Sequence, residues 1–157
     1  MMTVGIAVVG DRNDALPGHR ELNAVMPMLG ADVHAEWVPT DGPGVSNLSG
    51  FDGVWLVPGS PYADDAAAYE AIRWARAHDV PFLGTCGGLQ YAVIESFRNV
   101  LEVQDASHAE SDGVHDSNVI AALAGKPVHL LLHEFVGRAR ESAGQAVAGE
   151  ASSSASS

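Results

Sequence analysis

Four short apolar segments, separated by loops and helix-like segments, constrain the fold of this chain more than any other feature. The strand-like segments are residues 3–11, 31–40, 51–61 and 80–86, and the helix-like segments are residues 18–31, 62–79 and 87–101. Strands that alternate with helices over short connections are typical of a parallel sheet with helices on both faces. The sequence therefore predicts a doubly wound, flavodoxin-like α/β fold with a mostly parallel sheet.

Composition and charge exclude several classes of protein. The 157 residues are 46% hydrophobic and 18% charged, which is ordinary for a soluble globular chain of one domain. Eight basic residues against twenty acidic residues give a net charge of -12, which argues against binding to nucleic acid or to an anionic membrane. No apolar run approaches the ~20 residues of a membrane span. We expect a cytoplasmic protein without a cofactor.

The pattern weakens after residue 100. Residues 105–118 predict a polar loop, and residues 119–139 predict either a strand and a helix or two strands. The last residues are rich in Ala, Gly and Ser, which is typical of a disordered tail. We therefore expect one domain over residues 1–138 and a disordered tail over residues 139–157.

The only cysteine of the chain lies in the sequence Gly84-Thr85-Cys86-Gly87-Gly88, which fits the pattern G-x-C-x-G. A nucleophile on a sharp turn between a strand and a helix needs small neighbours, because its own backbone conformation is sparsely allowed. The N-terminus of the following helix would favour the thiolate. The pattern therefore predicts a nucleophile at Cys86. The alternative is a buried, unreactive cysteine at the end of a strand.

Two longer stretches carry a resemblance to a known family. The sequences FDGVWLVPGSPY and AIRWARAHDVPFLGTCGGLQYAVIESFRNV resemble the class I (triad) glutamine amidotransferases. Within that family they are most similar to the glutaminase domain of CTP synthase and to short proteins described as CTP synthase C-terminal-region-related. The resemblance runs from about residue 3 to residue 112. It implies glutamine as substrate, hydrolysis to glutamate and ammonia through a glutamyl thioester, and an ammonia-accepting synthase as partner.

The resemblance also implies roles for individual residues. Cys86 matches the nucleophile, and the backbone N–H groups of Gly59 and Gly87 match the donors of an oxyanion hole. Gln90 matches a glutamine that contacts the substrate, and Glu110 matches an acidic residue that binds the substrate's α-amino group. These roles suit the chemistry, because a free amino acid needs an anion for its ammonium group and donors that polarise its amide.

Two departures from the family pattern affect these expectations. CTP synthases carry Pro-Gly-Gly-Phe-Gly where this chain has PGSPY, so that Ser60 and Pro61 alter the oxyanion loop and Pro61 lacks an N–H group. The family also has a His-Pro-Glu motif far downstream, and we expect this chain to end before that region. A natural short form, a frameshift or a truncation would explain this end.

Such a truncation would impair catalysis, because the thiol would lose its base. The alternative function is then a catalytically inactive family member that acts at most as a binding protein. An incomplete fold would expose apolar surface and a bare sheet edge, from which we expect marginal stability or a homo-oligomer.

His133 and Glu134 are candidates for a replacement base, because the sequence LLHEFVG resembles the His-Pro-Glu motif without its proline. Adjacent residues of a strand point to opposite faces, however, which argues against a pair in which Glu134 orients His133. The alternative is an amphipathic segment whose His and Glu face solvent.

Other polar residues have spacings that fit a site only weakly. His129 and His133 are four residues apart, and His108, Asp112, His115 and Asp116 cluster in the predicted loop. No spacing among them matches a metal site, and we predict solvated loop residues and no metal. Residues 11–14 follow the first strand at the carboxyl edge of the sheet, where they could contact a ligand, but we predict a solvated loop. Asp11 is also the one acidic partner available to a third hypothesis, a flavodoxin-like cysteine protein outside the amidotransferases.

Overall fold

A computed structural model describes residues 3–113, 116 and 118–120 of the chain. The chain divides into two compact units, Met1–Glu95 and Ser96–Ser157. Each unit is described separately below. The predictions for the segment beyond residue 120, including the tail at 139–157 and its boundary, lie outside the described residues.

The first unit alternates strands and helices as the sequence predicts. Its elements are β1 (Val4–Val9), α1 (Pro17–Val25), β2 (Val33–Val38), β3 (Gly53–Leu56), α2 (Asp65–Ala77), β4 (Phe82–Gly84) and the beginning of α3 (Gly87–Asn99). A 3₁₀ turn, Met26–Met28, follows α1 directly. The regular helix ends there because Pro27 has no N–H group to continue the hydrogen-bond ladder.

The four strands of this unit form one parallel sheet in the order β2-β1-β3-β4. Val4 lies opposite Val33, Ile6 opposite Gly53, and Val54 opposite Phe82. The carboxyl ends of all four strands therefore meet at the same edge, and β1 and β3 are the neighbours between which the winding direction reverses. Ligands of doubly wound folds bind at that point of the sheet.

Alternate residues of the strands face two separate apolar clusters. Ala7 and Val9 of β1 pack with the buried residues of α2, which are Ala68, Ala71, Ile72 and Ala75. Val8 packs on the other face of the sheet with Leu22 of α1. Because neighbouring strand residues point to opposite faces, this alternation covers the sheet with helices on both sides. The predicted doubly wound α/β fold is confirmed.

The second unit contains the end of α3, β5 (Ser107–His108), α4 (Ala109–Asp112) and β6 (Asn118–Ile120). β5 and β6 pair in parallel, and the side-chain amide of Asn118 donates to the hydroxyl of Ser107 over 2.8 Å. The prediction of a polar loop over residues 105–118 is wrong where these elements form. A local pattern missed them because β5 has only two residues and pairs with a strand ten residues later.

No helix within the described ranges is long and apolar enough to cross a membrane.

Candidate functional site

Cys86 lies on a tight turn between β4 and α3. Its φ angle is 52°, in the left-handed region that non-glycine residues rarely adopt. The Cys86 carbonyl accepts hydrogen bonds from the N–H groups of Leu89 (3.1 Å) and Gln90 (3.2 Å), so that the helix begins directly after the cysteine. Cys86 is exposed, so the alternative of a buried cysteine at the end of a strand is wrong. The turn has the geometry predicted for an elbow between a strand and a helix, and the role of Cys86 as a nucleophile stays a prediction.

Close backbone contacts explain the two outer glycines of the turn, Gly84 and Gly88. A Cβ atom on Gly88 would lie 2.7 Å from the carbonyl carbon of Leu56, and a Cβ atom on Gly84 would lie 2.7 Å from the carbonyl oxygen of Gly88. The N–H group of Thr85 donates to the carbonyl of Leu56 over 3.0 Å. The indole N–H of Trp55 donates to the Thr85 hydroxyl over 3.0 Å. The elbow therefore packs directly against the end of β3, and these two hydrogen bonds hold it in that position.

The segment after β3, residues 57–62, lies beside the elbow, and we call it the oxyanion loop. A Cβ atom on Gly87 would collide with the Ser60 hydroxyl and would lie 2.8 Å from the Ser60 Cβ atom. Gly59, one residue earlier, has a φ angle of 125°, which favours glycine. Within the described part of the chain, neither the Gly59 N–H nor the Gly87 N–H donates to another group. The two predicted oxyanion donors thus lie on adjoining segments.

Tyr62 anchors the C-terminal end of the oxyanion loop. Its hydroxyl donates to the Val57 carbonyl over 2.6 Å, and its N–H group donates to the Asp65 carboxylate over 2.8 Å. The hydroxyl of Tyr91, from α3, donates to the same Asp65 oxygen over 2.7 Å. Burial raises the pKa of Tyr62 far above its ordinary value, and the nearby Tyr91 and Cys86 raise this pKa further. The hydroxyl therefore stays protonated and remains a donor.

The other predicted site residues lie in three different parts of the chain. Gln90 lies in the first turn of α3, one turn after Cys86, and is half-buried. Glu110 lies in α4 of the second unit. His129, His133 and Glu134 lie outside the described residues, so that the base stays a prediction.

Sequence reasoning missed the function of Asp11 as a structural acceptor. Its carboxylate accepts from the N–H group of Thr40 (2.9 Å), the Thr40 hydroxyl (2.9 Å) and the N–H group of Ala63 (2.7 Å). It therefore joins the loops that follow β1, β2 and β3, where a solvated residue was predicted. Asp11 also lines a cavity of about 370 Å³ together with Arg12 and Trp37. No sequence pattern signals such contacts, because the partners are 29 and 52 residues away.

Sequence reasoning also missed His19, which it treated only as part of a helix-like segment. His19 is buried in α1, and both ring nitrogens make hydrogen bonds to loop backbone. No sequence signal identifies it, because its partners are backbone groups 6 and 39 residues away.

The polar residues around His108 and Asp112 do not form a metal site in the part of the chain that the structure describes. No three His, Cys, Asp or Glu side chains are arranged there for a metal ion. His108 is 4% exposed, and its N–H group donates to the Asp112 carboxylate over 3.0 Å. The prediction that His108 is solvated is therefore wrong, because it belongs to a strand. Asp112 and Asp116 are exposed, as predicted, and His115 lies outside the described residues.

Comparison with known proteins assigns the family. The family model for glutamine amidotransferase class-I matches residues 21–153. The chain belongs to the class-I glutamine amidotransferases. The match continues past residue 112, beyond the segment in which the sequence motifs resemble the family.

Several relatives of the chain are CTP synthases. The chain is 36% identical over 115 residues to CTP synthase from Haloarcula hispanica, covering 69% of this chain and 21% of the relative. It is 46% identical over 85 residues to CTP synthase from Clostridium perfringens, covering 50% of this chain and 16% of the relative. The chain thus spans about a fifth or less of the length of these relatives.

A solved structure agrees with both the family and the fold. The structure described as Trypanosoma brucei CTPS, glutaminase domain with bound acivicin, matches with a TM-score of 0.61 and 26% sequence identity. The match covers 74% of this chain and 49% of the other. The predicted relation to the glutaminase domain of CTP synthase is confirmed.

Proposed function

We propose that the chain hydrolyses the side-chain amide of L-glutamine to glutamate and ammonia, with Cys86 as the nucleophile. The observation that carries the proposal is an exposed cysteine in a left-handed elbow at the N-terminus of α3, beside a loop that carries Gly59. Membership of the class-I glutamine amidotransferases supports the same chemistry.

The first step forms a covalent intermediate. The Cys86 thiolate attacks the amide carbon of glutamine, and the carbonyl π electrons move to the oxygen to give a tetrahedral oxyanion. The N–H groups of Gly59 and Gly87 donate to this oxygen, and each such donor contributes about 10²- to 10³-fold in rate. The positive end of the α3 dipole stabilises the thiolate before the attack.

The second step needs a proton donor and then a base. The oxyanion collapses to a glutamyl thioester as the amide nitrogen takes a proton and leaves as ammonia. Water then attacks the thioester, giving glutamate and the free thiol. His133, with Glu134 beside it in the sequence, is the proposed group that delivers the first proton and activates the water, and this assignment rests on the sequence alone.

Substrate orientation is proposed for two further residues. Gln90 follows Cys86 by one helical turn and would hydrogen-bond the amino acid, while Glu110 would hold the substrate's ammonium group. The ammonia would pass to a partner synthase. The relation to CTP synthases makes pyrimidine nucleotide biosynthesis the proposed context.

A glutamine hydrolysis assay with the full chain tests the proposal. Wild-type protein should release glutamate and ammonia in equal amounts, and Cys86→Ala should lower the rate by about three orders of magnitude or more. Ser46→Ala, an exposed position at the end of a 3₁₀ turn, is the control and should leave the rate unchanged. A Cys86→Ala rate equal to wild type would refute the role of the thiol.

Two further measurements separate the base from the nucleophile and catalysis from binding. His133→Ala should lower turnover by about 10²- to 10⁴-fold, whereas His129→Ala should not. Acivicin, the ligand in the Trypanosoma brucei structure, should label Cys86, and L-glutamine should protect it. Protection without turnover would favour the alternative of an inactive family member that binds glutamine.

A further inference from the structure

His19 connects two loops at the carboxyl edge of the sheet. It lies in the first turn of α1 and is 1% exposed. The N–H group of Asn13, in the loop after β1, lies 2.9 Å from its Nδ1 atom. The carbonyl oxygen of Pro58, in the oxyanion loop after β3, lies 2.6 Å from its Nε2 atom. These loops flank the point at which the sheet reverses its winding direction.

The two contacts determine which ring nitrogen carries the proton. A backbone N–H can only donate, so Nδ1 of His19 must accept from Asn13 and is unprotonated. A carbonyl oxygen can only accept, so Nε2 must carry the hydrogen that is donated to Pro58. The neutral Nε2–H tautomer satisfies both neighbours, and the opposite tautomer would place two donors against each other at Asn13.

The bond to Pro58 fixes the direction of the next N–H group. The only cis peptide bond in the described ranges is Ser60–Pro61, so the Pro58–Gly59 peptide is trans. In a trans peptide the C=O and N–H groups point in opposite directions. Because the Pro58 carbonyl points at the His19 ring, the Gly59 N–H points away from it. A flipped peptide would set the Gly59 N–H against the Nε2–H of His19, donor against donor.

We infer that His19 is a positioning residue that holds the Gly59 N–H in the orientation of an oxyanion donor. The ring also packs directly on this glycine, since a Cβ atom on Gly59 would lie 3.2 Å from Nε2. On its other side the ring lies against Trp37, with 5.1 Å between the ring centroids. The imidazole is thus fixed from both sides, and the peptide that it holds cannot rotate freely.

This inference rests on the proposed function only for its catalytic consequence. Gly59 has no side chain and a φ angle of 125°, so its own backbone preferences leave the peptide free to flip. A donor that contributes to the oxyanion must be oriented before the reaction. His19 supplies that orientation from outside the reacting groups, through one hydrogen bond.

Nuclear magnetic resonance on the full chain tests the inference without any assay of activity. In the wild type, imidazole ¹⁵N shifts should report a protonated Nε2 and an unprotonated Nδ1 at His19, with a scalar coupling from Nε2–H to the Pro58 carbonyl carbon. An Nδ1–H tautomer, or a missing coupling, would overturn the inference. This measurement needs no variant and does not depend on the stability of one.

A matched pair of variants tests the orientation itself. Glutamine in place of His19 retains an N–H donor near the position of Nε2, whereas methionine has a similar length and no donor. Residual dipolar couplings of the Gly59 N–H should agree between the wild type and His19→Gln and should differ or average out in His19→Met. Couplings in His19→Met that equal those of the wild type would also overturn the inference.

The same pair gives a kinetic result. His19→Met should lower kcat for glutamine hydrolysis by about 10- to 100-fold and change KM by less than about threefold, because a misdirected donor affects the transition state. His19→Gln should recover most of the loss, which a merely structural role would not predict. Equal loss in both variants, with wild-type couplings, contradicts the inference. A wild-type chain without turnover would refute the proposed function alone, because the couplings still decide the role of His19.

Discussion

Replacement of Gly88 by alanine perturbs the elbow most directly. The new Cβ atom would collide with the Leu56 carbonyl oxygen and would lie 2.7 Å from the Leu56 carbonyl carbon. Carbon atoms pack at about 3.5–4.0 Å, so the elbow and the end of β3 must separate by about 0.8 Å or more. Both are backbone, and the hydrogen bond from Thr85 to Leu56 resists the movement.

The expected cost follows from two opposing contributions. Overpacking of this kind costs about 1–3 kcal/mol, and the change from glycine to alanine in a helix returns about 0.5–1 kcal/mol. We therefore expect Gly88→Ala to lower the free energy of unfolding by up to about 2.5 kcal/mol, or Tm by up to about 10 °C for a chain of this size. Urea denaturation followed by tryptophan fluorescence measures the change. Glutamine hydrolysis should fall as well, because Cys86 moves with the elbow.

Gly18→Ala is the matched control. Gly18 also lies in the first turn of a helix, α1, but nothing lies within 4 Å of the position of its Cβ atom. This variant should be about 0.5–1 kcal/mol more stable than the wild type. If Gly88→Ala is as stable as Gly18→Ala, the close contact between the elbow and β3 does not exist and the description of the site fails.

Two further variants test the loops around the elbow. Tyr62→Phe removes the hydrogen bond to Val57 and should cost about 1 kcal/mol in urea denaturation. Burial raises the pKa of Tyr62 above the value of about 10 that tyrosine has in the unfolded chain. The free energy of unfolding of the wild type should therefore keep its full Tyr62 contribution below about pH 10 and fall above it, by up to about 1.4 kcal/mol per pH unit. Tyr62→Phe should lessen this slope, and an unchanged slope would show that another group causes it. Asp11→Ala should cost about 2–3 kcal/mol, whereas Asp41→Ala, an exposed neighbour, should change stability by less than about 0.5 kcal/mol. Equal effects of the two aspartate variants would contradict the role of Asp11.

The first unit could be predicted well from sequence because its signals are local. The strands are continuous apolar runs, and α2 has strong helix formers and a buried stripe of Ala68, Ala71, Ile72 and Ala75. In contrast, β5 has only two residues and pairs with β6 ten residues later, which no local periodicity predicts. The loop prediction at residues 105–118 failed for this reason, and so did the prediction that His108 is solvated.

In the site, too, local features could be predicted from the sequence and long-range contacts could not. The glycine spacing around Cys86 predicted the elbow, because a turn with a left-handed residue and close backbone contacts needs glycines beside it. The contacts of Asp11 with Ala63 and of His19 with Pro58 were not predictable, since they join residues 52 and 39 positions apart. Their partners are backbone groups, which every residue type carries, so the sequence does not indicate them.

The distant contacts converge on the loops that flank the elbow. Asp11 holds Ala63, just after the oxyanion loop, His19 holds Pro58 at its beginning, and Tyr62 closes its end through Val57. The loops beside the proposed nucleophile, including the one that carries a proposed oxyanion donor, are thus held by hydrogen bonds to main-chain groups. Such preorganisation is what a site needs in order to stabilise charge that develops only during the reaction.

The most direct test of the central claim is a search for a glutamyl thioester on Cys86. Full-length protein would be mixed with L-glutamine, quenched in acid and digested, and the peptide that contains residue 86 would be examined by mass spectrometry. The proposed function predicts a glutamyl adduct on Cys86, or glutamate release where the thioester hydrolyses quickly, with neither product from D-glutamine or from Cys86→Ala. Wild-type protein that yields neither the adduct nor glutamate from L-glutamine would contradict the claim.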